Sequence, residues 1–188
     1  MGSPMIYGLH ENPIIAAISD LDALDQALAT KVEIIFLLKG HILELNETVH
    51  RVRESKKLIF VHADLIDGLS KDANGLNYII DIVKPDGIIT TKSHLIKIAK
   101  SKGVMAIQRL FILDSLNLQT GIESIRACNP DAVEILPGIM PKVTKTIVKA
   151  TNKPVITGGL IQSKEDVINS LQAGAIGIST SKKEIWQL

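Results

Sequence analysis

Along this chain, short and almost wholly apolar runs take turns with longer stretches in which apolar residues return every three or four positions. The pair recurs about eight times. The runs place strands at Ile14 to Ile18, Glu33 to Leu38, Leu58 to His62, Gly87 to Thr90, Met105 to Leu110, Ala132 to Leu136, Pro154 to Thr157 and Gly177 to Ser179. Between them, Ile42, Leu45, Val49 and Val52 form one helical stripe, and Leu76, Ile79, Ile80 and Val83 form another, so each stretch can bury one face. Nothing between the units reads as a Ser/Pro linker or a charged tail, and residues 1–188 are expected to form one domain. Met1 to Pro4 contribute nothing to the reading.

Strands that are apolar on both faces, joined by crossover helices, imply a parallel sheet covered on both sides. Eight such units point to closure into a compact (β/α)8 TIM-type barrel with minimal loops. At roughly 23 residues per unit the chain is short beside the usual ~250-residue barrel, so one degenerate helix is expected, at the end. The alternative is an open doubly wound sheet. No Gly-x-Gly-x-x-Gly turn follows the first strand, which argues against its dinucleotide-binding form.

A hydrophobic content of 46% is ample for a large core. A net charge of +1 and a pI near 7.8 deny the chain the global positive field of a protein held to nucleic acid mainly by phosphate contacts. Aromatics, at 3%, do not interleave with basic residues as on a base-stacking platform, so any nucleic-acid role must be local. Cys128 is the sole cysteine, which rules out an internal disulfide or cysteine-built metal site and fits the cytoplasm. No signal pattern precedes the first strand, and the apolar runs fall far short of the ~20 residues that span a bilayer, so no membrane role is expected.

In such a barrel function lies where the strands end. The polar residues there are Asp20, Lys39 and His41, His62 and Asp64, Thr91 and Lys92, Gln108 and Arg109, Glu134, Gly158 and Gly159, and Thr180 and Ser181. The glycine pair Gly158-Gly159 lets backbone N–H groups approach an anion where a Cβ would obstruct it. Ser181 and Glu184 have the Ser-x-x-Glu spacing of a capping box, which would place a helix N-terminus directly after the last strand. Gly158, Gly159, Thr180 and Ser181 thus outline a corner for a phosphomonoester. Read blandly, the glycines only make a turn and Ser181 only caps a helix.

His62, Asp64 and Asp67 offer acid–base or cation-binding chemistry, although Asp67-Gly68 also reads as a turn and His62 as a residue satisfying backbone carbonyls. Asp64 is retained. Lys39 and Lys92 are candidates for a Schiff base if buried, and Lys92 otherwise for a positive charge toward a ligand. Arg109 falls in an apolar stretch where a guanidinium needs an anion, either a ligand or a carboxylate such as Glu134 or Asp114. Glu134, turned to the side of Ala132 and Leu136, either accepts a ligand hydroxyl or pairs with Arg109. No metal site, cofactor motif, Ser-His-Asp, His-Glu-x-x-His or Walker pattern is read.

The segments His62–Ser70, Pro85–Lys92, Ala106–Ser115, Pro130–Pro141, Pro154–Ile161 and Ser179–Trp186, in that order and over nearly the whole chain, resemble the bacterial glycerol-uptake operon antiterminator family. The resemblance implies a barrel that senses glycerol 3-phosphate and acts on the leader of messenger RNA to prevent transcription termination. Phosphate contacts then fall to Gly158, Gly159, Thr180 and Ser181, and the glycerol end to Asp64, Lys92, Arg109 and Glu134. Thr157 departs from the family, which usually has alanine before the two glycines. Two other readings stand beside this one: a phosphosugar isomerase or lyase with Asp64 or Glu134 as base and Lys92 as electrophile, and a ligand-gated scaffold that binds another protein. The RNA-contacting face is not legible. Arg51, Arg53, Lys56 and Lys57, and Lys97, Lys100 and Lys102, read as solvated surface, although a homodimer would join two weak basic patches.

Overall fold

The computed structural model describes residues 4–188, so the first three positions of the expected domain lie outside the described residues. Eight parallel strands close into a barrel: β1 Ile14–Ile18, β2 Ile34–Leu37, β3 Leu58–His62, β4 Gly87–Thr90, β5 Met105–Phe111, β6 Ala132–Leu136, β7 Val155–Gly158 and β8 Gly177–Thr180. Each strand pairs with its sequence neighbours, and β8 returns to β1 with Ile14 opposite Ile178. The expected closed barrel is therefore present, each strand within a residue of where the apolar runs placed it.

Around it stand α1 Pro4–Glu11, α2 Leu21–Leu28, α3 Ile42–Glu54, α4 Ala73–Tyr78, α5 Ser93–Ser101, α6 Ser115–Cys128, α7 Pro141–Thr151 and α8 Lys164–Gln172. Side-chain oxygens start several of them: Asp20 accepts from Ala23 N, Asp72 from Asn74 N and Gly75 N, and Asp114 from Asn117 N. α4 runs on into a π-helical turn, Ile79–Val83, which keeps Leu76, Ile79, Ile80 and Val83 buried. After β8 only a three-residue 3-10 turn, Ile185–Gln187, takes the place of a helix.

Strand alternation divides the core into two layers. One set, including Ile15, Ala17, Ile34, Phe36, Phe60, Ile89, Ile107 and Ile156, fills the barrel interior; the other packs outward against the helices. Met5 and Leu9 of α1 join the interior set and close the bottom of the barrel. The Phe60 ring fills the space beside Gly87, where a Cβ would come within 2.4 Å of it. Among the described residues no helix is long and apolar enough to cross a membrane.

Candidate functional site

Where the interior layer reaches the strand tops it turns polar, through His62, Arg109, Glu134 and Ser179, all buried. The β5–β6 register sets Arg109 opposite Glu134, and Arg109 Nε donates to Glu134 Oε2 at 2.6 Å. Glu134 Oε1 is buried with no hydrogen-bond partner within the protein. A cavity of about 120 Å3 opens beside this pair, lined by Arg109, Glu134, Gly159, Ser179, Thr180 and Ser181.

The two glycines do different things. Gly159 (φ 73°) and Leu160 (φ 61°) adopt left-handed backbone in succession, which turns the chain sharply around the mouth. Gly158 lies behind the cavity, and a Cβ there would stand 2.8 Å from Glu134 Oε1, so its lack of a side chain makes room for the carboxylate. Thr180 Oγ1 donates to Ile161 O at 3.2 Å and accepts from Lys182 N at 3.1 Å, tying the end of β8 to the loop after β7. Thr180 O in turn accepts from Trp186 Nε1 at 2.8 Å.

The capping box expected at Ser181 and Glu184 does not form: no side chain caps the final 3-10 turn, and Trp186 is buried with its Nε1 held by Thr180 O. Ser181 lines the cavity without a helix terminus behind it, so the dipole contribution read from that spacing is withdrawn. The capping box of this region belongs to Ser163 and Asp166, at the start of α8.

Asp64 and Lys92 lie away from the cavity. Both Asp64 oxygens are engaged, accepting from Thr90 Oγ1 at 2.6 Å, Thr91 N at 2.8 Å and Thr91 Oγ1 at 2.7 Å. Burial opposes ionisation of this carboxyl, but those hydrogen bonds prevail and hold its pKa below the usual value. Lys92 Nζ donates to Lys71 O at 2.5 Å, on the flank of α4. Asp114 caps α6 and leaves Arg109 to Glu134. Lys39 is exposed, and no group of three His, Cys, Asp or Glu able to hold a metal ion occurs among the described residues.

Ser179 entered through the structure alone, although its place two residues after Gly177 on an alternating strand was the available signal. His62, read as structural, shares the interior layer with Phe60. Burial first, and then the Arg109 charge, push its pKa down to about 4, so it is neutral near pH 7. Thr157, with the parity of Val155, faces outward, and its buried Oγ1 has no protein partner.

Comparison with known proteins bears on this site. The family described as "Glycerol-3-phosphate responsive antiterminator" matches residues 14–186. An uncharacterised Escherichia coli (strain K12) protein, YgcP, is 35% identical over 185 residues, covering 98% of this chain and 97% of that one. The crystal structure of the glycerol uptake operon antiterminator regulatory protein from Listeria monocytogenes 4b F2365 superposes with a TM-score of 0.91 at 34% identity, over 93% of this chain and 95% of that one. A related protein from Thermotoga maritima MSB8 gives 0.84 at 34% identity, over 93% and 98%. Aldolases and an epimerase at 10–18% identity share the fold alone.

Proposed function

The chain belongs to the glycerol-3-phosphate responsive antiterminator family, and from that premise we propose that it binds glycerol 3-phosphate at the barrel mouth and, so loaded, acts in the cytoplasm on the messenger RNA leader of glycerol-uptake genes to prevent termination. The observation that carries the ligand assignment is the unpartnered Glu134 Oε1 beside Arg109 at the base of a small cavity. A buried acceptor of this kind is costly unless a donor meets it. A glycerol hydroxyl supplies that donor. The phosphate then lies toward the Gly159 turn and the ends of β8, at Thr180 and Ser181, with Gly158 giving clearance behind. Arg109, held by Glu134 through Nε alone, has further N–H groups for the ligand. Asp64 shapes the site indirectly, by fixing the end of β4, and Lys92 does so through the loop that carries Lys71.

Ligand binding shifts the protein toward its RNA-competent state only as far as it binds that state better. Glycerol 3-phosphate at millimolar concentration therefore raises the melting temperature, and a mobility shift on leader RNA appears or strengthens with it. No thermal shift would overturn the sensor reading; a thermal shift with no RNA retention at low salt would favour the protein-binding scaffold.

The enzyme reading has the shared barrel in its favour, and a fold alone is weak warrant. Asp64 is fully hydrogen-bonded and Lys92 is turned to a carbonyl, so one base and the electrophile that reading assigns are engaged elsewhere, and Glu134 has one oxygen committed to Arg109. Turnover of a phosphorylated three- to six-carbon substrate, abolished by Asp64→Asn, would restore it.

A further inference from the structure

We propose that the exposed face of α7, with Lys142, Lys145 and Lys149, is the surface that receives the phosphodiester backbone of the RNA, and that Phe111 at the neighbouring rim stacks on a base. This rests on the antiterminator reading above and supplies the contact face the sequence did not disclose.

Charge distribution singles out α7. Between Glu134 and Glu165 the chain carries no carboxylate side chain and five lysines, in a protein whose 21 Lys and Arg are balanced over the whole chain by 20 Asp and Glu. At 3.6 residues per turn, Lys142, Lys145 and Lys149 fall within about 60° of arc, opposite the buried Thr144 and Ile147. All three are exposed, and none is ion-paired with a described residue. Among the basic residues more visible in the sequence, Arg51 pairs with Asp25, Lys100 with Asp131 and Lys102 with Asp81, and Lys57 Nζ donates to the carbonyls of Thr30 and Val32, which leaves Arg53, Lys56 and Lys97 exposed without an ion pair but no unpaired triplet on one helix face. The three free ammonium groups spread over about 10 Å of helix axis at ~1.5 Å per residue.

Two further features place this face at the ligand site. Phe36 and Phe60 are buried in the barrel, whereas Phe111 is 53% exposed at the end of β5, opposite Leu136 of β6, the strand that leads into α7. Unpaired RNA bases favour such an aromatic ring beside a cationic track. The link from β6 to α7 also leans on the cavity wall: Gly138 N donates to Gly159 O at 3.0 Å, and a Cβ at Gly138 would stand 2.9 Å from Gly158 N. Lys142 follows four residues later. A ligand that orders the Gly159 turn thus orders the approach to the basic face.

The test is a mobility-shift titration of the glycerol-uptake leader RNA with full-length protein and millimolar glycerol 3-phosphate across salt concentrations. In the variant Lys142→Gln/Lys145→Gln/Lys149→Gln the slope of log affinity against log salt is expected to shrink by about 2, from ~0.7 per single-strand phosphate contact. The ligand-induced melting shift should stay at its wild-type size. Phe111→Ala should weaken binding on the order of tenfold with the slope unchanged. A control of equal charge change at the opposite end of the barrel, Lys31→Gln/Lys56→Gln/Lys84→Gln, should leave the slope near wild type. Wild-type slope and affinity in the α7 variant, or an equal loss in the control, would overturn the surface assignment while leaving the antiterminator reading intact. Absence of RNA binding by the wild-type protein would overturn both.

Discussion

Replacing Arg109 by methionine isolates the pair on which the proposed ligand site depends. Both partners are buried, with side-chain exposures of 6% and 1%, so Arg109→Met strands a carboxylate that has lost its one protein partner. Breaking such a pair costs about 3–5 kcal/mol. In a chain of this length each kcal/mol moves the melting temperature by about 2–4 °C, so a fall of about 6–20 °C is expected. The double variant Arg109→Met/Glu134→Leu exchanges the pair for apolar groups of similar size and should recover most of that stability. Stability and ligand response then separate. Wild-type protein at a hundred times Kd gains about 2.7 kcal/mol from ligand, or about 5–11 °C. The double variant should melt near the wild-type temperature and show little of that gain. Urea unfolding with and without glycerol 3-phosphate measures both quantities. A single variant that loses less than about 1 kcal/mol, or a double variant that keeps the full ligand shift, would refute the reasoning.

Three further outcomes are expected. His62, with a folded pKa of about 4 against an ordinary 6.5, binds fewer protons folded than unfolded between those values; stability is therefore undiminished above pH 6.5 and falls as pH drops toward 4, by up to about 3 kcal/mol. His62→Gln should flatten that slope in urea titrations, and an unchanged slope would acquit His62. Gly158→Ala should cost about 1–3 kcal/mol by crowding Glu134 and should blunt the ligand-induced thermal shift, both read by differential scanning fluorimetry. Thr157→Val removes a buried hydroxyl that has no protein partner, so urea unfolding should show anything from no change to about 1 kcal/mol of gain; a clear loss would mean that the hydroxyl is satisfied in solution.

Much of this architecture was legible because the signals are local. Runs such as Ile14–Ile18 and Ala132–Leu136 are continuous in sequence, and the barrel follows from their number and spacing. The Arg109–Glu134 pair was readable as one of two options, since alternation turns both inward; choosing between Glu134 and Asp114 needed the β5–β6 register. The partners of Asp64 were not legible because the threonines that donate to it lie 26 and 27 residues away, beyond any local pattern. Ser181 and Glu184 misled differently: the spacing was right, but the segment folds into a 3-10 turn that tucks Trp186 back under Thr180. α1 was overlooked because its eight residues expose much of their surface and bury only Met5 and Leu9. The basic face of α7 was passed over because its lysines are spread through an amphipathic helix, and what distinguishes them is the carboxylates they lack.

The final 3-10 turn bears on how the barrel breathes. Seven of the eight strands run on into a helix, while β8 is followed only by the turn that buries Ile185 and Trp186 against β1. A cylinder of strands should part first where its hoop is thinnest, so amide exchange ought to be fastest along the join of β8 with β1. On the binding mode proposed above, an effector gripping the loops after β7 and β8 would sit beside the join and work as a clasp, converting occupancy into tightness of the whole ring.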